Sequence, residues 1–180
     1  MINVISLIQL KAFARQDGFL LFLVWIASFA IIVNDPASSW GGLLAMCSPF
    51  FVGWLLTRFR DYALDGVISF RRALAFSIFT FFYASMLFAV AQYVYFRFMD
   101  NGAMFSMLTS TINALEPFYK SQGVSVEGLR QSINMIGELS PVEIAFIYMM
   151  QNIFMGFFLS FPIAWVTRKK SLRKTPTIKK

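Results

Sequence analysis

Four long apolar runs alternate with polar linkers along the chain, at about residues 18–33, 41–57, 73–96 and 142–166. About 20 helical residues cross the hydrocarbon core of a bilayer, so each run predicts a membrane-spanning helix. The first two runs are short for that task. Helix extending backward through Phe13 lengthens the first, with Lys11 and Arg15 snorkelling to the interface. The stretch Ile2 to Phe13 is mostly apolar, interrupted by Asn3, Ser6, Gln9 and Lys11, and predicts an interfacial helix leading into that span. Pro49 in the second run and Pro162 in the fourth predict kinks, because each removes a backbone N–H from the helical ladder.

The segment at about 101–139 has a different pattern. Met104, Leu108, Ile112, Leu115 and Tyr119 recur at helical spacing, as do Val126, Leu129, Ile133 and Ile136. Gly123 separates the two sets, and Pro117 is expected to kink or shorten the first. The prediction is a helical hairpin, docked on lipid or on protein. Ser140-Pro141-Val142-Glu143 then reads as a capping box that opens the fourth span. The expected fold is all-α: one membrane domain over 1–180, a four-helix bundle with the hairpin between spans three and four.

Charge orients this bundle. Apolar residues make up 58% of the chain and charged ones 14%, well under the roughly 25% of soluble domains. The tail at 167–180 holds Arg168, Lys169, Lys170, Arg173, Lys174, Lys179 and Lys180. With Lys11, Arg15 and the linker arginines Arg58, Arg60, Arg71 and Arg72, thirteen of the sixteen basic residues fall on one side. The positive-inside rule makes that side cytoplasmic, with both termini inside and the hairpin outside. The first span reads as retained and not as a cleaved leader. The net charge of +7 flanks apolar runs, so no nucleic-acid partner is expected.

Candidate chemistry is sparse. The chain has no His, and Cys47 is its lone cysteine, so a His-based site and an intrachain disulfide are both excluded. Phosphate loops, dinucleotide turns and zincin helices are missing, and no catalytic residue, cofactor or metal is expected. No Asp, Glu, Lys or Arg is expected well inside a span, which argues against a proton-coupled transporter. The distinctive element is the linker holding Arg58, Arg60, Asp61, Asp65, Arg71 and Arg72. Its arginines suit anionic lipid headgroups at the cytoplasmic face, or a protein partner, while Asp61 and Asp65 are expected to form salt bridges. Asp65-Gly66 predicts a tight turn, and Ser69 a cap on the third span. In the fourth span, Gly156, Ser160 and Ala164 repeat every four residues and predict close helix packing, inside the chain or against a second subunit. Gln151 and Asn152, near the middle of that span, are expected to hydrogen-bond across helices.

Several of these segments together resemble a known family. They are the arginine–aspartate linker, Gly66-Val67-Ile68-Ser69-Phe70, Ala73 opening the third span, and that span's run into Tyr95-Phe96-Arg97-Phe98-Met99-Asp100. The Ser140-Pro141 start and Asn152 with Gly156 before a basic end complete the pattern. It resembles the bacterial membrane proteins grouped as domain of unknown function 4199, largely from Bacteroidota, over nearly the whole chain. The chain departs from it at Arg72, where a Gln is common. The resemblance implies four spans in a bacterial inner membrane and no activity. It also implies an association with lipid-linked glycosyltransferase or envelope-biogenesis systems. The leading expectation is a non-catalytic accessory or scaffold subunit of an inner-membrane complex. The alternative is a small homo-oligomeric channel or transporter, with Gly156, Ser160 and Ala164 at the subunit contact.

Overall fold

A computed structural model describes residues 4–36, 38–123 and 125–169. The basic residues Lys170, Arg173, Lys174, Lys179 and Lys180 therefore lie outside the described residues, as do Ile2 and Asn3 of the N-terminal stretch. The described chain is helical throughout: α1 (Val4–Asn34), α2 (Trp40–Met46), α3 (Ser48–Ala63), α4 (Phe70–Phe98), α5 (Ala103–Ser121), α6 (Glu127–Gly137) and α7 (Pro141–Thr167). Four segments are long and apolar enough to cross a membrane: Leu7–Asn34, Trp40–Ala63, Phe70–Phe98 and Pro141–Thr167.

Two boundaries differ from the sequence expectation. α1 is one continuous helix of 31 residues, with no break between the N-terminal stretch and the first span. Gly18 opens no turn in it; a Cβ there would lie 2.8 Å from Tyr83 Cβ, so this glycine is where α1 presses against α4. The second span is two helices that meet at Cys47, with Pro49 in the first turn of α3. Proline is tolerated there because the missing N–H has no intrahelical acceptor anyway. The break is tied to α1: the Trp25 indole donates to Ser48 Oγ at 2.8 Å, and Ser28 Oγ donates to the Gly41 carbonyl at 2.7 Å.

The core lies between α1, α4 and α7, closed on one side by α3. Leu21, Trp25, Val52, Leu56, Phe59, Phe76, Phe81 and Ala164 are buried in one cluster. α4 and α7 press together at Gly156, where a Cβ would stand 2.5 Å from Phe81 Cβ. Ser160 and Ala164 are fully buried on the same face of α7. Ser160 Oγ donates to the Gly156 carbonyl of its own helix, so its hydroxyl is satisfied while the backbones come together. α7 opens on the full capping box: Ser140 Oγ accepts from Glu143 N–H at 3.4 Å, and Glu143 Oε2 accepts from Ser140 N–H at 2.8 Å. Pro162 lies inside α7, which continues to Thr167.

α5 and α6 form a hairpin that packs mainly on itself. α5 runs through Pro117 to Ser121, so the proline does not shorten it. Gly137 faces the Phe105 ring, and Ile112 and Ile133 are buried. Glu116 joins the two helices, accepting from Arg130 Nη2 at 2.6 Å and from Lys120 Nζ at 2.9 Å. These hydrogen bonds, Lys120's first and Arg130's second, hold the Glu116 carboxyl below its ordinary range. A depressed carboxyl stabilises the fold above its unfolded value, and that contribution is lost as pH falls through the folded one. Amide protection in α5 and α6, referred to the intrinsic exchange rate at each pH, is therefore expected to fall on acidification, at pH values below the normal glutamate range. Glu116→Gln should remove that acid step, and persistence of the step in the variant would refute the assignment.

Candidate functional site

The polar linker between α3 and α4 folds by local rules. Asp65 (φ 51°) and Gly66 (φ 76°) occupy the left-handed region in succession, a conformation Asp tolerates and Gly favours, and together they reverse the chain. Ser69 caps α4, its hydroxyl accepting the Arg72 N–H at 3.4 Å. The linker is pinned to the end of α7 by an isolated antiparallel bridge between Ile68 and Lys169.

The arginines around this turn do not converge on one point. Arg60 donates from Nε and Nη2 to the two Asp61 oxygens at 2.7 and 3.0 Å, and from Nη1 to the Thr167 carbonyl at 2.9 Å. It joins the end of α3 to the last turn of α7 and satisfies a terminal carbonyl there. Arg72 donates from Nη2 to Gln9 Oε1 at 3.3 Å and lies over the Phe59 ring, which ties α4 to the start of α1. Arg58 reaches α1 as well, its Nη2 lying 2.6 Å from Asp17 Oδ1. Arg71 and Asp65 are exposed. Arg58 and Arg60 thus lie in the last turns of α3, and Arg71 and Arg72 in the first turn of α4, not in a loop as the sequence suggested; three of the four clamp neighbouring helices, and Arg71 is exposed.

Asp17 is the residue that sequence reasoning missed. It lies within the membrane-capable segment Leu7–Asn34 and is 1% exposed. The membrane-capable helix starts earlier than the apolar run 18–33, so Asp17, one residue before that run, falls within the helix and on its buried side. A signal was available: Leu10, Ala14, Asp17 and Leu21 follow helical spacing, and all four are buried. Arg58 is half-buried beside Asp17, with its guanidinium 5.3 Å from the centre of the Trp54 ring. The second carboxylate oxygen, Oδ2, is buried with no hydrogen-bond partner among the described residues. A second unforeseen polar residue, Gln92 of α4, is 2% exposed and leaves its Oε1 unpartnered in the same sense.

The α7 residues divide between two faces. Gly156, Ser160 and Ala164 are buried, with Gly156 pressed on Phe81 of α4 inside the chain. Asn152 is half-buried and Gln151 is exposed. Neither amide hydrogen-bonds to another helix among the described residues, and the side-chain bonds between membrane-capable helices come instead from Trp25, Ser28, Arg58, Arg60 and Arg72.

A family model described as "Protein of unknown function (DUF4199)" matches residues 5–169. No curated protein matches the chain, and no solved structure matches it.

Proposed function

The chain belongs to the DUF4199 family, and since that family carries no assigned activity, we propose from the geometry that it is a non-catalytic scaffold subunit of a membrane complex. One observation carries the reading. The arginines and the buried acid hold the bundle's own helices together, while the amide of Gln151 points away from the bundle near the middle of a membrane-capable helix. An amide facing hydrocarbon is costly until another polar group meets it, so that face of α7 is built for assembly.

In this reading the protein sits in the bacterial inner membrane with both termini in the cytoplasm. The segregation of basic residues supports this orientation. So do two tryptophan–arginine pairs, Trp54 with Arg58 and Trp165 with Arg168, which suit the headgroup layer on the basic side. Anionic lipid meets that side through Arg71 and the basic tail. The test is native-mass measurement in lipid nanodiscs together with ion flux in proteoliposomes. The expected result is an assembly larger than one chain, weakened by Gln151→Leu, and no flux.

A second reading, a small homo-oligomeric channel or transporter, is favoured by the buried Asp17 carboxyl, whose Oδ2 has no hydrogen-bond partner among the described residues. Flux that Asp17→Asn abolishes would replace the scaffold reading with this one.

A further inference from the structure

We infer that the outward face of α7 docks on a second copy of this chain, around a two-fold axis that runs along the membrane normal and passes beside Gln151. The inference rests on the scaffold reading and names the partner for the same face.

Gln151 sits three residues from Phe154, the middle residue of the 27-residue helix Pro141–Thr167, which is about 4.5 Å along the axis. At that depth neither water nor headgroups reach it. Residues at helical spacing from it share its face and are exposed: Met155 by 51%, Phe158 by 54% and Trp165 by 61%. Lipid chains cover such apolar side chains well, but they leave both the donor and the acceptor of the amide unmet.

Two features of the amide select a second copy over an unrelated helix, and a third favours association in general. First, a primary amide is donor and acceptor at once, so two Gln151 side chains across a two-fold axis satisfy each other reciprocally. Second, an axis along the membrane normal places the two amides at equal depth by symmetry, whereas another protein would need its own polar group at that level. Third, the surface is already ordered. Phe158 packs on Phe154 at 4.8 Å between ring centres and on Phe157 at 5.6 Å, and Phe157 packs on Phe161 at 5.1 Å. Rings held in place before contact lose little rotamer freedom on association. The small residues that would otherwise allow a close subunit contact are buried inside the chain, so this interface is formed by aromatic and methionine side chains around one amide pair.

The experiment is cysteine cross-linking of the full chain in its own membrane. Cys47 is exposed and is first removed as Cys47→Ser. Met155→Cys and Phe158→Cys are then oxidised with copper phenanthroline, beside Met86→Cys, an exposed position on α4. Both α7 positions should give a reducible species of twice the chain mass, and Met86→Cys should not. In parallel, dilution of fluorescently labelled protein in bilayers should show Gln151→Leu dimerising roughly five- to thirty-fold more weakly. An adduct of the α7 positions with a different polypeptide would overturn the dimer and leave the scaffold reading standing. No adduct at either α7 position, or a dimer constant unchanged by Gln151→Leu, would overturn the dimer; the first would also remove α7 as the assembly face.

Discussion

Arg58→Leu is expected to destabilise the protein more than Asp17→Leu, although both break the same ion pair. The asymmetry follows from burial. Asp17 is 1% exposed at the side chain and Arg58 36%. Without Arg58, a carboxylate is stranded inside the bundle with both oxygens unmet, a situation that costs about 3–5 kcal/mol in buried pairs. Without Asp17, the long arginine side chain turns toward the headgroup layer and recovers much of its solvation, so the loss is smaller. The double variant Asp17→Leu with Arg58→Leu should recover most of the loss, because an ion pair whose acid is desolvated adds little over a packed apolar pair. Unfolding midpoints in a fixed detergent would read all three, with the Arg58→Leu shift on the order of 10 °C. Equal shifts for the two single variants, or additive shifts in the double, would mean that the pair does not act as a unit.

Gly156→Leu is expected to abolish the folded bundle, and Gly156→Ala to weaken it measurably. The first added atom already meets Phe81 at its Cβ and Cγ, 2.5 and 2.6 Å away, and these atoms cannot swing aside as the end of a flexible chain could. Phe81 itself is 2% exposed and lies beside Trp25, with ring centres 6.4 Å apart, so α4 and α7 must separate to admit the side chain. Overpacking of this kind typically costs about 1–3 kcal/mol, and more where whole helices have to move. Gly53 of α3 is the control: a Cβ there meets nothing within 4 Å, and Gly53→Ala should be neutral or slightly stabilising in mid-helix. Monodispersity on size exclusion together with the unfolding midpoint decides the matter. A well-folded Gly156→Leu protein would show that the α4–α7 contact is looser than its geometry implies.

Much of this architecture was legible in the sequence, because it depends on local pattern and composition. Four apolar runs marked four membrane-capable segments. Ser140 and Glu143 marked the start of α7 three residues apart, Asp65-Gly66 marked a turn, and two sets of spaced apolar residues marked the hairpin. The family was legible too, since its short segments lie in order along the chain. Each of these signals comes from neighbouring residues.

What tertiary structure alone decided was direction: which side of each helix turns inward. A helix in a bilayer is apolar on its lipid side and on its protein side, so hydrophobic periodicity does not separate the two as it does in water. The pairing of Asp17 with Arg58 joins residues 41 apart in the sequence, and it required α1 and α3 to lie side by side. Gln151 and Asn152 are adjacent and chemically alike, yet the rotation of α7 that seats Gly156 on Phe81 leaves the first exposed and the second half-buried. The linker arginines read as one basic patch in sequence, but the fold directs three of them to separate acceptors on α1 and α7. Composition and local pattern thus determined which segments can cross the membrane. Close packing of glycine against phenylalanine, which fixes helix rotation, determined which polar groups stay inside and which face outward.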